Sequence, residues 1–538
     1  MQINLHPAAR IWRLVQEEKK DITSIYFYAI LNGGIQLSLP VGIQAIIGFV
    51  LGGTLSASLV LLISLIVLGV MLVGIMQLNT MKIIEKIQQK IFVRYAYAFA
   101  DRIPRLDLKQ VDTFYLPELV NRFFDTPALQ KGISKLLLDL PTATIQILFG
   151  LILLSFYHPA FILFGILLLI VLGLILYLAG GRGLQSSLAE SSYKYGVAGW
   201  FEEMARIAKT FKFSGSKLNI EKTNDRTVNY LQARTNHFSI LLFQFKTLIA
   251  FKVAITAAML IVGVILLLNQ QINIGQFVAA EIIIITVINS IEKIIVNLDS
   301  VYDVMTAVEK ISKLTDKPLE TSGTQTLDTF NGISVKAQNL TFAYDDKPLI
   351  RNLSFSVAAG EKACIRGPES SGKSTLIKLL SRVYRDYTGA LLMNDIPASS
   401  YQLDSVRHQT GVLFLHENVF HGSLMENLTM GKEVNGAWLN QLVHATGLIQ
   451  FLQMLPQGYD TELDPTGKRL PKNVIQKILV VRALAHQPKL LLLEEPWQGI
   501  EDQYKNAVQD LLLQLDATVI VATNNQDFSS RCNQIIQL

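Results

Sequence analysis

Six stretches of the chain are apolar over the length that a bilayer demands, and they set its organisation. They fall at about 23–51, 57–79, 137–156, 159–180, 253–269 and 275–291, each near the ~20 residues of a spanning helix. The pattern predicts six transmembrane helices. The connections Gly52 to Ser56, Tyr157 to His158 and Asn269 to Asn273 are short and carry no Lys or Arg, whereas 80–136 and 181–240 are long and rich in both. By the excess of basic residues on the inner side, the long loops and both termini belong in the cytosol, with the bundle in the cytoplasmic (inner) membrane. The polar flanks Met81 to Ala100 and Ser191 to Arg234 are expected to continue as helical stalks beyond the bilayer, at ~1.5 Å per residue.

Pro7 to Val15 sets Ile11, Trp12 and Val15 on one side with Arg10 and Arg13 beside them. This suits a short helix in the membrane interface and suits an ordinary soluble helix equally. Inside the spans, Asn32, Gln36, Gln44 and Glu281 are costly against lipid. They should face the bundle interior, serving either a substrate path or helix packing. Lys246 and Lys252 lie near the start of the fifth span and are expected to snorkel.

Half of the 538 residues are hydrophobic and 17% are charged, which suits a membrane protein carrying a soluble part. The net charge of +5 is scattered between apolar spans without aromatic interleaving, so nucleic acid is not an expected partner. Cys364 and Cys532 have no disulfide or metal spacing and fit a reducing setting. Residues 1–21 have neither the apolar core nor the cleavage site of a removable signal. From Asp299 to Thr329 the pattern loosens, and no internal repeat is visible. The expected division is 1–21, a membrane bundle at 22–310, a linker at 311–329 and a soluble domain at 330–538.

The soluble part holds Gly367-Pro-Glu-Ser-Ser-Gly-Lys-Ser-Thr375, a match to the phosphate-cradling loop G-x-x-x-x-G-K-[ST]. A strand-like stretch, Glu361 to Arg366, precedes it and a helix-like one, Leu376 to Val383, follows. In such a loop, glycines let backbone amides turn to the phosphates, Lys373 reaches the terminal ones and Ser374 offers its hydroxyl to Mg²⁺. The apolar runs Leu490 to Leu493 and Thr518 to Ala522 complete an α/β sheet with the nucleotide at its carboxyl edge. Glu494 and Glu495 follow the first run, placed to hold Mg²⁺ and to orient an attacking water.

On these residues the chain resembles a half-transporter of the ATP-binding cassette exporter family, along nearly its whole length. The implied architecture is a six-helix transmembrane bundle fused to a C-terminal α/β cassette, with ATP and Mg²⁺ as cofactors. Tyr344 matches the family's adenine-stacking aromatic, and Gly367, Ser370, Ser371, Gly372, Lys373, Ser374 and Thr375 match its phosphate loop. Glu494 stands at the metal-side acid and Glu495 at the catalytic base. Segments 115–122 and 200–210 resemble the loops that couple bundle to cassette, with Glu118, Arg122, Glu202 and Glu203 as their polar residues.

The sequence departs from the family at several positions. Leu470-Pro-Lys-Asn-Val474 stands where the family has Leu-Ser-Gly-Gly-Gln, Asn524 stands in place of the γ-phosphate histidine, and the inter-lobe glutamine is replaced by Leu415 or His416. Glu494 replaces an aspartate and Ser370 a glycine. The resemblance implies a dimer with a second copy or a related half, so these losses predict ATP binding with slow hydrolysis by this chain alone. The alternative is a non-hydrolysing, nucleotide-gated component of an export assembly. Further implied partners are the lipid bilayer, an unidentified transported substrate (drug, lipid or peptide) and periplasmic adaptor proteins.

Overall fold

The computed structural model describes residues 7–53, 57–112, 116–328, 331–344, 348–415, 417–463 and 470–538, the side chains of 178 and 179 excepted. The chain divides into two compact units, Met1–Arg105 with Phe114–Lys317, and Leu106–Thr113 with Pro318–Leu538.

The first unit is helical. It comprises α1 (Pro7–Glu17), α2 (Lys19–Leu51), α3 (Ala57–Arg102), α5 (Leu116–Val120), α6 (Asp125–Tyr157), α7 (Ala160–Arg206), α8 (Ala208–Ser214), α9 (Leu218–Leu268), α10 (Ile274–Val296) and α11 (Leu298–Thr315). The short α4 (Leu108–Val111) lies between α3 and α5 in sequence and falls in the second unit. Six helices among the described residues are long and apolar enough to cross a membrane. At 46, 47 and 51 residues, α3, α7 and α9 rise ~70 Å or more, about twice the ~30 Å hydrocarbon thickness, as the polar flanks predict.

Exposed leucines and isoleucines such as Leu61, Leu163, Leu167 and Ile170 mark lipid-facing surfaces. Leu154, Leu168, Ile283 and Ile291 form the core between α6, α7, α9 and α10. Two glycines permit close helix approach. A Cβ at Gly150 would meet Val287 Cγ2 at 2.6 Å, and one at Gly183 would meet the Tyr302 ring at 2.2 Å.

The polar residues of the spans turn inward. Gln146 Nε2 donates to Gln36 Oε1, and Ser290 Oγ donates to Gln146 Oε1 at 2.8 Å, joining α2, α6 and α10. Gln44 accepts from the Tyr157 hydroxyl at 2.7 Å. Lys252 pairs with Glu292 at 2.7 Å rather than snorkelling free, because α9 and α10 pack side by side and a carboxylate lies within reach. In α1, Arg10 is drawn into bonds with Glu309, Ser312 and Asp316 of α11, while Trp12 is exposed. The stretch 308–314, expected to loosen, is instead helical. Val308, Ile311 and Leu314 recur at helical spacing and are buried in α11.

The second unit is a two-sheet cassette. Strands β1 (Val335–Ala343), β2 (Pro348–Val357), β4 (Thr388–Met393) and β5 (Ile396–Pro397) form an antiparallel sheet in the order β2-β1-β4-β5. Strands β3 (Lys362–Arg366), β6 (Thr410–Leu413), β9 (Leu490–Glu494), β10 (Thr518–Ala522) and β11 (Gln534–Gln537) form a parallel sheet in the order β11-β3-β10-β9-β6. Every residue of β9 and β10 is buried, which is why both read as continuous apolar runs. The short β7 (Gly422–Ser423) and β8 (Glu462–Leu463) pair separately. Helices α12 (Lys373–Leu380), α13 (Leu403–Gln409), α14 (Leu424–Thr429), α15 (Gly436–Ala445), α16 (Leu448–Met454), α17 (Lys472–Leu484), α18 (Asp502–Gln514) and α19 (Gln526–Ser530) complete it.

At the sheet's lower edge, buried Lys362 donates to the carbonyls of Gly360, Leu515 and Ala517 at 2.6, 2.7 and 3.1 Å. Lys362→Met keeps the stem and strands these acceptors. It should destabilise the cassette by about 1–3 kcal/mol, read as a lower thermal midpoint of the cassette transition. An unchanged midpoint contradicts that role.

Candidate nucleotide site

The loop 367–372 leaves β3 and opens α12, placing the first turn of the helix over the carboxyl edge of the parallel sheet. Gly372 sits at φ +102° and Ser370 at φ +63°. A serine at that angle carries strain that a glycine would not. Ser371 Oγ is buried without a partner among the described residues, a polar atom available to a ligand's phosphate. Lys373 Nζ donates to the Gly367 and Pro368 carbonyls at 2.7 and 2.8 Å, so the ammonium lies along the inside of the loop.

The acids expected beside the loop are there. Ser374 Oγ donates to Glu494 Oε1, and the Leu415 amide donates to Glu494 Oε2 at 3.0 Å. The longer side chain of Glu494 therefore spans from α12 to the segment after β6. Glu495 follows at φ +42°, outside the strand, its Oε2 accepting from Thr523 Oγ1 at 2.8 Å and its amide donating to the Ala522 carbonyl at 3.0 Å. A hydroxyl and a carboxylate, both hard oxygen donors, suit Mg²⁺ in partnership with phosphates and water.

Tyr344 is exposed and lies edge-on to Phe342 and Tyr384 at 5.2 and 5.8 Å. Its hydroxyl is 3.1 Å from Thr375 Oγ1. The ring thus sits beside the loop with a surface open to an adenine. Asn524 is exposed, and its Oδ1 accepts from the Gly367 amide at 3.5 Å. His416 lies outside the described residues, as does Tyr115. Leu415 reaches the site through its backbone alone.

The stretch 470–474, expected at the family signature, opens α17. Pro471 precedes α17 as its N-cap residue with no side-chain cap. Asn473 Nδ2 donates to Glu501 at 2.9 Å, Lys477 pairs with Glu501 at 2.7 Å, and Val474 is buried in the helical core. Burial alone would raise the Glu501 carboxyl. The Lys477 contact and the Asn473 bond outweigh it and hold the group below the usual glutamate range.

The expected coupling residues are held within the first unit. Arg122 pairs with Glu118 at 2.7 Å and lies 3.5 Å over the Tyr195 ring. Asn121 donates to Glu202, and Glu203 is exposed. Sequence reasoning missed the segment 106–113, which packs on the cassette as part of the second unit. Asp107 pairs with Arg385 at 3.1 Å, Lys109 with Asp386 at 3.5 Å, and Asp112 accepts from the Tyr384 hydroxyl. Burial, then this bond to a carboxylate, pushes the Tyr384 phenol far above its usual range. Since Tyr384 abuts Tyr344, these contacts run from 106–113 to the nucleotide site. The alternating charges of Asp107, Lys109 and Asp112 are the only local mark of these contacts, and they do not name their partners.

Comparison with known proteins agrees with this geometry. The ABC transporter transmembrane region family matches residues 22–291, half of the chain, and the ABC transporter family matches residues 350–498. An ATP-dependent lipid A-core flippase of Burkholderia orbicola is 29% identical over 55% of this chain and 50% of its own length. The human protein named antigen peptide transporter 2 is 29% identical over 43% of this chain and 34% of its own. The chain spans half or less of the length of these curated relatives. A bacterial Atm1-family ABC exporter solved with ATP bound superposes with a TM-score of 0.84 over 97% of this chain and 93% of that one, at 17% identity, which establishes the fold. The chain belongs to the ABC transporter family, as a multi-pass membrane protein of the exporter half-transporter type that joins one transmembrane region to one ATP-binding cassette.

Proposed function

We propose that this chain binds ATP in the loop 367–375 and uses that binding to switch its helical bundle between inward- and outward-facing states. The cassette and both termini face the cytosol and a second half completes the dimer. The observation that carries the reading is the set Lys373, Ser374, Glu494 and Glu495 at one sheet edge. ATP with Mg²⁺ would supply the phosphoanhydride whose binding and cleavage drive the cycle. Around it, loop amides and Lys373 bind the phosphates, and Ser374 with Glu494 holds the metal. Thr523 orients Glu495 toward the position of an attacking water, and Tyr344 stacks on the base. Asp112, through Tyr384, carries the state of that site toward α4.

Hydrolysis by this chain alone is slow in this reading. Pro471 lacks the amide, and Val474 the side-chain amide, with which the family caps a partner's γ-phosphate. Phosphoryl transfer depends on such preorganised donors, and loss of a single one can cost about 10²–10³ in kcat. The anchoring of Asn473 and Lys477 on Glu501 and the burial of Val474 favour, as a second reading, a nucleotide-gated component in which binding alone is used.

Two variants separate these readings in the full chain reconstituted in lipid. Lys373→Ala should reduce ATP affinity at least tenfold on either reading, an ion pair with phosphate being worth more than the 1.4 kcal/mol that tenfold represents. Glu495→Gln should leave affinity intact and abolish whatever slow turnover exists. Turnover at ordinary transporter rates by the unaltered chain, lost in Glu495→Gln, overturns the slow-hydrolysis proposal. ATP binding insensitive to Lys373→Ala overturns the site itself. Tyr344→Ala should weaken ATP by about 1–3 kcal/mol, the worth of one base–aromatic stack, as measured by calorimetric titration.

A further inference from the structure

One polar cavity in the helical unit is left unexplained by the packing. It has a volume of ≈ 230 Å³ and lies among α2, α3, α6 and α10. Unlike Gln36, Gln44 and Gln146, which satisfy one another or a neighbour, Asn32 on its wall is 5% exposed with Oδ1 unbonded among the described residues. A buried carbonyl without a donor is costly, so this oxygen points to something that donates a hydrogen bond.

Besides Tyr28 and Gln77, which can both donate and accept, three more of the cavity's polar side chains offer acceptors. Asp139 accepts from Asn297 through Oδ2 at 3.0 Å, leaving its second oxygen free. Thr80 and Thr142 give their hydroxyl protons to the carbonyls of Met76 and Leu138, so only their lone pairs remain. Lys293 is the cation of the cavity, exposed, and its ammonium makes no ion pair with Asp139 or any other carboxylate among the described residues. The lining therefore offers three kinds of acceptor, including a full negative charge, and one positive charge, Lys293.

Depth narrows the setting. Asn32, Asp139 and Lys293 lie 18 or 19 residues along their helices from Leu51, Tyr157 and Ile274, the helix ends that short connections join. That is about 27–29 Å of rise, close to one hydrocarbon thickness. All three thus sit at one level, the far boundary of the apolar slab. Charged groups at that level can snorkel to water and need no partner. The buried, unbonded Asn32 oxygen is what snorkelling leaves unexplained.

We infer that this cavity is a ligand site for a zwitterion carrying a primary ammonium and an anionic group. The ammonium donates to Asn32, Asp139 and the threonine hydroxyls, while the phosphate or carboxylate meets Lys293. As a transport site it rests on the export reading above; as a binding site it does not. A soluble zwitterion and a lipid headgroup share this chemistry. A primary ammonium is required because a quaternary one has no N–H to give the Asn32 carbonyl.

The test uses the full chain in detergent micelles, with three probes titrated by native mass spectrometry and by shift of the thermal midpoint. These are O-phosphoethanolamine, lysophosphatidylethanolamine and lysophosphatidylcholine. The expected result is that an ethanolamine-bearing probe binds at least about tenfold more tightly than the choline-bearing one, as expected when a site built for N–H donors loses them. Asp139→Asn and Asn32→Leu should each remove most of that preference, whereas Lys293→Gln should weaken every phosphate-bearing probe alike and leave the preference standing. Binding by both ethanolamine probes identifies a soluble zwitterion as sufficient, and binding by the tailed one alone identifies a lipid headgroup; both support the inference. Equal binding of the choline probe, no binding of either ethanolamine probe, a preference untouched by Asp139→Asn and Asn32→Leu, or binding untouched by Lys293→Gln overturns it. The headgroup comparison needs no variant, so it stands if a substitution fails to fold. Lys373-dependent ATP binding, measured in the same preparations, tells failure of this site from failure of the nucleotide reading.

Discussion

The carboxylate of Glu494 is the joint on which the cassette's site depends. It ends the interior strand β9, takes a hydrogen bond from Ser374 at the start of α12 and another from the Leu415 amide beyond β6. Three elements far apart in sequence are thereby tied at one point, and the tie is possible because β6, β9 and β10 run parallel and end together. An aspartate, one methylene shorter, would have less reach for the same span. Glu494 therefore acts as a brace, and the same oxygens are of a kind that suits a metal. Directly beyond it, the positive φ of Glu495 turns that side chain off the strand line and onto Thr523, so one acid braces the site while the next faces it.

The helical unit is governed by a different constraint, since apolar surroundings give an unbonded polar group no water to fall back on. Most of its polar side chains comply by meeting each other across helices, as Gln36, Gln146 and Ser290 do, or by pairing as Lys252 and Glu292 do. Arg10 follows the same rule outside the spans, leaving any headgroup role for bonds to α11. Against that background the unbonded Asn32 carbonyl is informative because it lines a polar cavity, whereas Gln36, Gln44 and Gln146 are met by partners.

How much of this was legible in the sequence depended on whether the signal was local. The six spans were, because each is a continuous run long enough for a bilayer, and so was the nucleotide loop, whose residues are contiguous and whose strand and helix flank it. The burial of β9 and β10 showed as unbroken apolar runs. The segment 106–113 was not legible. It is too short for a periodic pattern, and Asp112 finds its partner Tyr384 at a separation of 272 residues. The tie from Leu415 to Glu494 was equally hidden, because a backbone amide leaves no mark on residue type. The continuation of α11 through Leu314 was masked by Glu309, Lys310, Ser312 and Lys313, whose polarity reads as a linker until the buried stripe of Val304, Val308, Ile311 and Leu314 is counted along the helix.

The balance between binding and spending the nucleotide follows from where the preserved and altered residues lie. Tyr344, Lys373, Ser374, Glu494 and Glu495, proposed above to meet ATP, lie together at one edge of the cassette. The stretch 470–474 is altered in a coherent direction. Proline at the cap removes a donor, valine enters the core, and Asn473 with Lys477 closes on Glu501. Random loss of a functional motif would leave unpaired polar groups and gaps. Here Asn473 bonds to Glu501 and Val474 is buried within their own cassette, so the start of α17 is anchored there. On the proposed reading, such a cassette would sense ATP through its own loop while offering fewer donors to a nucleotide held by a neighbour.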